Sequence, residues 1–222
     1  MPFFTDEISA VPRALQGVTR MRYRTLILPA LIAALLSCGN GAPKDALAEP
    51  VEVIVAALPD PVPLSRLLDS LKVDPQDVWF LVLKSERVFK VMTDSTELRR
   101  YPCVLGAHPV GDKRMEGDKR TPEGTFTFRS KRRPHQWHVF IHIDYPNAES
   151  RRRFAARKKS GEIPADASIG GEVGIHGVPE GMDQWITSEQ DWTFGCIALK
   201  NADVDEIYPY ITPWKTKLVI RP

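Results

Sequence analysis

One stretch of this chain combines the residue types needed for acyl-transfer chemistry. Residues 174–199 read GIHGVPEGMDQWITSEQDWTFGCIAL: a histidine lies in an expected strand end, Ile175-His176-Gly177, and, twenty positions on, Cys196 follows Thr193-Phe194-Gly195. A thiolate is the competent nucleophile, and a free cysteine near pKa ~8.5 needs a neighbouring imidazole or a favourable dipole to ionise at ordinary pH. His176 can supply the imidazole. Gly195 lets the backbone turn sharply, so the amides of Gly195 and Cys196 can point at one carbonyl oxygen, the geometry of an oxyanion hole. Asp191, Thr193 and Gly177 are near enough in sequence to support the site. Asp191 and Thr193 could hydrogen-bond the loop or orient the imidazole. No metal or organic cofactor is implied, because thiol and imidazole supply nucleophile and proton transfer unaided.

Other residues have two readings. His108, His135, His138 and His142 could suggest metal, but they have no second cysteine near them and no HExxH pattern, so strand-edge or turn histidines are the better reading. His142 lies on an expected strand two positions before Asp144, and either faces the cleft as a substrate contact or packs structurally. Trp185 and Trp192 bracket the loop before Cys196; they either floor a glycan-binding cleft or belong to the core. Arg151, Arg152, Arg153, Arg157, Lys158 and Lys159 could contact phosphate or anionic glycan, but a solvated helix face is the commoner meaning of such a run. Cys103 and Cys196 could pair in an oxidising compartment. Cys103 reads instead as an apolar position in an alternating strand, leaving Cys196 free.

The elements that must position these residues are mainly strands. Leu64, Leu67, Leu68 and Leu71 predict a short amphipathic helix over 64–72. The period then switches to two over 78–83, 87–92, 98–105, 125–129 and 138–144, and a terminal strand covers 217–220. The tight spacing at Ser85-Glu86 makes the first two a hairpin. Asn147 is a good N-cap for a helix to about Lys159, which Gly161 can end, and Asn201 caps another whose first turn is crowded by Asp203, Asp205 and Glu206.

Residues 21–38, MRYRTLILPALIAALLSC, form a basic n-region and an apolar run too short to span a bilayer. The Leu-Leu-Ser-Cys ending resembles the bacterial lipobox and implies a lipid on Cys38. Residues 1–20 do not look like an n-region and suggest a start at Met21. The division expected is therefore 1–20 upstream mis-start, 21–37 lipoprotein signal peptide, 38–75 tether and short helix, and 76–222 catalytic domain. Gly39 after the cysteine favours attachment to the outer membrane, facing the periplasm. With 30 Lys plus Arg against 28 Asp plus Glu, the charge balance gives no argument for nucleic acid.

The spacing resembles a known family. L,D-transpeptidase catalytic domains of the YkuD type carry a histidine, about sixteen residues, then Ser/Thr-x-Gly-Cys and a β-branched residue; here residues 177–192 separate His176 from Thr193, and Ile197 follows the cysteine. Gly106, Pro109, Gly111, the Glu116-Gly117-Asp118 turn and Thr121-Pro122-Glu123-Gly124 look like the family's upstream signature. His142-Ile143-Asp144-Tyr145-Pro146-Asn147 looks like its YafK-like branch. The resemblance covers about 78–222 and implies a mainly β fold, a β-sandwich with a few short helices and a long loop beside the site. It implies an enzyme on which Cys196 forms a thioester with a peptidoglycan tetrapeptide stem, resolved by a stem amine or an envelope protein amine in cell-wall cross-linking or remodelling. The rival readings are an L,D-carboxypeptidase or amidase cutting the same kind of bond, and a non-catalytic peptidoglycan-binding lipoprotein. Two departures bear on how the donor is gripped: Phe194 stands where many members have histidine, and Ala198 where many have arginine.

Overall fold

A computed structural model describes residues 62–222 except Pro134; Cys38 with its lipobox, the signal segment and most of the tether lie outside the described residues. Eight strands run β1 (Val78–Leu83), β2 (Val88–Thr93), β3 (Thr96–Pro102), β4 (Gly124–Arg132), β5 (Phe140–Ile143), β6 (Gly174–His176), β7 (Ile197–Ala198) and β8 (Lys217–Arg221). The helices are α1 (Leu64–Leu71), α2 (Ala148–Lys159), α3 (Gln184–Thr187) and α4 (Asn201–Ile207). Among the described residues no helix is long and apolar enough to cross a membrane.

The fold is mainly β, as the patterning predicts. Its strands form one mixed sheet in the order β3-β2-β1-β8-β4-β5-β6-β7. The β1/β8 and β6/β7 pairs are parallel and the others antiparallel. The two halves expected of a sandwich are joined at β4. Its first residues pair with β8, its last with β5, and the register shifts between Phe128 and Ser130, where an irregular ladder lets a strand bend from one half into the other. At the far edge Ala198 bridges back to Val104, just beyond β3.

Alternation explains why the long strands form. In β1 Val78, Phe80 and Val82 are buried, and their partners on β2 include the buried Val91. Phe80 packs on Phe89 and Phe128 with ring centroids 5.2 and 6.0 Å apart, each buried ring contributing roughly 1.5–3 kcal/mol. Leu64 and Leu68 seat α1 on this core while Leu71 is exposed, so the apolar stripe is shorter than the leucine spacing suggests. Glu206 Oε1 accepts from the Leu64 amide at 2.6 Å and caps that helix from α4.

The capping expectations divide. Asn147 accepts from the Ser150 amide at 3.0 Å and starts α2, and Gly161 follows its end at φ 75°. Asn201 does not cap α4: Lys200 takes that position, and Asn201 Oδ1 reaches across to the Val178 amide at 2.8 Å. Nor do three acids serve the first turn of α4. Asp203 alone lies there, while Asp205 binds Arg133 and His138 and Glu206 binds Arg99 and Tyr101.

Candidate active site

The site forms where two very short strands run side by side. In the β6/β7 ladder Ile175 pairs with Ile197 and His176 with Ala198. Ile175 and Ile197 enter the main core, whereas Ala198 joins Val104, Val178 and Ile186 in a second cluster walled by Trp185 and Trp192. The two-residue alternation puts His176 on this second face, and Cys196, two positions before Ala198, follows.

His176 is buried among aromatic rings. Phe140 stacks on it at 5.8 Å, Trp137 lies 5.0 Å away and Trp192 meets it edge-on at 5.7 Å. Its Nδ1 donates to Gly177 O at 2.6 Å, which leaves Nε2 as the basic nitrogen. Burial depresses its pKa to about 4, against a smaller opposing effect of the Gly177 hydrogen bond. Gly177 is fixed in turn, since a Cβ there would lie 2.3 Å from Asn201 Oδ1.

Cys196 Sγ is 3.6 Å from Glu172 O, the acceptor of its hydrogen bond; among the described residues none joins it to the His176 ring. Burial pushes the thiol up to about 11, opposed by a Gly174 backbone hydrogen bond and by the Lys113 ammonium, and aided by the Glu172 carboxylate. Both shifts favour the neutral forms, thiol beside imidazole. Cys103 is a free thiol as well, buried just past the end of β3. Burial pushes it far above the ordinary thiol range.

The turn before Cys196 differs from its expected role. Thr193 Oγ1 accepts from the Gly195 amide at 3.1 Å and donates to Cys196 O at 2.7 Å. The Gly195 N–H expected to face a carbonyl oxygen beside the Cys196 amide is thus engaged by Thr193. Glycine is nonetheless required: φ is 130° and a Cβ would sit 2.7 Å from Arg120 O. Asp191 does not orient the imidazole. Its buried carboxylate accepts from the Leu105 amide at 2.8 Å and from Arg87 at 2.9 and 3.1 Å, clasping the loop to the strand edge, while Gly177 O does the orienting.

His142 is brought near the site through Glu172. Its Nε2 is 2.9 Å from Glu172 Oε2 and its Nδ1 3.2 Å from Ser130 Oγ. Glu172 has φ 52°, an unfavourable conformation for a non-glycine residue, and it is this residue whose carbonyl faces Cys196 Sγ. Trp192 serves as a wall of the His176 box, and Phe194 is exposed with Lys119 Nζ 5.3 Å from its ring centroid. The basic run on α2 is not simply a solvated face: Arg153 and Arg157 bind Asp112 at 3.1 and 2.9 Å. Among the described residues no three His, Cys, Asp or Glu side chains gather to hold a metal ion.

Sequence reasoning did not single out Glu172, Trp137, Phe140 or Lys113. Lys113 had a signal, being a charged residue inside the recognised stretch between Gly111 and the Glu116-Gly117-Asp118 turn. The others come from separate segments that only the sheet order brings together.

A thiol just before β7 and an imidazole on β6 whose Nδ1 is committed to Gly177 O, in a mainly β domain, are the groups that nucleophilic acyl chemistry uses. The L,D-transpeptidase catalytic domain (YkuD) model matches residues 77–220, and the chain belongs to that family. No curated protein matches it by sequence. Among solved structures it is similar to Bd1075 of Bdellovibrio bacteriovorus at 19% identity and TM-score 0.47, covering 65% of this chain and 48% of that one. The helical cell shape determining protein Pgp2 of Campylobacter jejuni matches at 20% and 0.46, covering 71% and 55%. An L,D-transpeptidase of Mycobacterium smegmatis matches at 16% and 0.42, covering 66% and 59%. The chain spans about half the length of the first two.

Proposed function

We propose that this protein is a cysteine-dependent peptidoglycan L,D-transpeptidase of the cell envelope. Cys196 Sγ attacks the amide carbonyl that joins the third residue of a tetrapeptide stem to its terminal D-alanine. His176 Nε2 takes the thiol proton as the attack proceeds and returns it to the departing amine, so D-alanine leaves and a thioester remains. A stem amine or an envelope protein amine then attacks the thioester and restores the thiol. The Cys196 amide, which makes no hydrogen bond among the described residues, is the backbone donor available to the carbonyl oxygen. A lipid on Cys38 would hold the domain at the outer membrane on its periplasmic side.

One observation carries this reading: His176 has its Nδ1 committed to Gly177 O and stands in register beside the strand that Cys196 precedes. A depressed imidazole pKa suits a general base that must stay neutral until the thiol proton moves. The test is to incubate the purified protein with muropeptide tetrapeptides, with and without an added amine, and to identify products by mass. Cross-linked dimers or amine adducts support transfer; tripeptides alone mean a hydrolase; unchanged tetrapeptide in every condition contradicts the proposal.

A further inference from the structure

Loop 106–123 is fastened more heavily than a surface connection requires. Lys84 Nζ donates to Thr121 O at 3.1 Å and to Glu123 Oε1 at 2.8 Å, near one end. From α2, Arg153 and Arg157 converge on Asp112 Oδ2, and Arg157 Nη1 donates to Lys113 O at 2.9 Å. Asp118 accepts from the amides of Arg114, Met115 and Arg120 at 2.6, 3.2 and 3.0 Å, and from Lys113 Nζ at 2.8 Å. These bonds together fix one ammonium. Lys113 is 5% exposed, and its Nζ lies 3.8 Å from the point a Cβ on Gly195 would occupy, beside the residue that precedes Cys196.

Burying a lysine is unfavourable unless it is paired, and Asp118 supplies the pair. An apolar residue would fill the same volume without that penalty, so the charge itself calls for a use. The chemistry of the site offers one. Moving the Cys196 proton to His176 Nε2 leaves a thiolate in a place where burial favours the thiol, and the Gly195 amide is already bonded to Thr193.

We propose that Lys113 is the fixed cation that stabilises the Cys196 thiolate, and that Asp118 is the residue that positions it. In the step, one S–H bond breaks and one N–H bond forms at His176; Lys113 keeps its protons and contributes its field alone. The ammonium acts on the thiol in the direction required. The proposal rests on Cys196 being the nucleophile.

Its test is the alkylation of Cys196 by iodoacetamide in the full-length protein at pH 8.5, quantified at that residue by peptide mass spectrometry. Lys113→Gln and Lys113→Met are expected to slow the reaction roughly tenfold, equivalent to about one pH unit in the thiol pKa, and Lys113→Arg to restore most of it. Near-UV circular dichroism checks that each variant is folded. A folded Lys113→Gln protein that alkylates at the wild-type rate overturns the proposal, as does an equal loss in Lys113→Arg and Lys113→Gln, which would mean packing alone. Should the Lys113 variants not fold, Asp118→Asn decides: loosening the group that positions the ammonium should slow alkylation, whereas an unchanged or faster rate overturns the assignment. Alkylation needs no stem peptide. A Lys113 effect without muropeptide turnover would therefore leave this assignment standing while the proposed function fails.

Discussion

Replacing His176 by glutamine should remove a measurable part of the protein's sensitivity to acid. The imidazole is buried, and its pKa falls from 6.5 to about 4 because its charged form is excluded from the box of Phe140, Trp137 and Trp192. Below pH 6.5 the unfolded chain binds a proton at this position and the folded chain does not. Stability contributed by the neutral ring is therefore fully present above pH 6.5 and is lost as pH falls towards 4. Between pH 7.5 and pH 5 the loss is about 2 kcal/mol, rising to about 3 kcal/mol once the folded ring also titrates. Urea unfolding of the wild type and His176→Gln at pH 7.5, 6 and 5 measures it. The variant starts from a different absolute stability, so the comparison is between slopes: the wild type should lose about 2 kcal/mol more than the variant over this range. Parallel pH dependences would refute the burial of a neutral imidazole.

Other outcomes follow from the loop geometry. Gly195→Ala should fold yet lose on the order of 100-fold in turnover, because the new Cβ would press on Arg120 O and displace the turn carrying Cys196; muropeptide kinetics and a thermal melt separate the two effects. Asp191→Ala should cost about 2–3 kcal/mol in urea unfolding, since the Leu105 amide and Arg87 lose a charged acceptor together. Cys38→Ala should move the protein out of the membrane fraction; retention there would contradict the lipid anchor.

Long-range pairing marks the boundary of what the sequence made legible. The Val78–Leu83 alternation and the Asn147 cap are local, so their residues alone specify them. Cys196 and His176 stood out because their spacing resembles that of the L,D-transpeptidase family, and the β6/β7 pairing brings His176 beside the residue that follows Cys196's neighbour Ile197. A strand end at His176 was readable, but β7 and its pairing with β6 were not, since β6 has three residues and β7 two, too few to show a period. Side chains with several possible partners were open in the same way. Thr193 and Asp191 take the first of their two expected roles, bonding the loop and its neighbours, and neither orients the imidazole, while Asn201 serves Val178 and not its own helix. Lys113 and Glu172 gain meaning only when the loop and the strand ends meet at Cys196.

The central claim is that Cys196 carries the acyl group and His176 moves its proton. Acylating β-lactams of the carbapenem kind, which resemblance to the family suggests as substrate mimics, allow this to be read directly by mass spectrometry of the trapped protein. The adduct should be found on Cys196, be absent from Cys196→Ser, and form slowly in His176→Ala with a partial recovery at raised pH, where the thiol ionises unaided. An adduct on Cys103, or full muropeptide turnover by the Cys196→Ser protein, would contradict the mechanism.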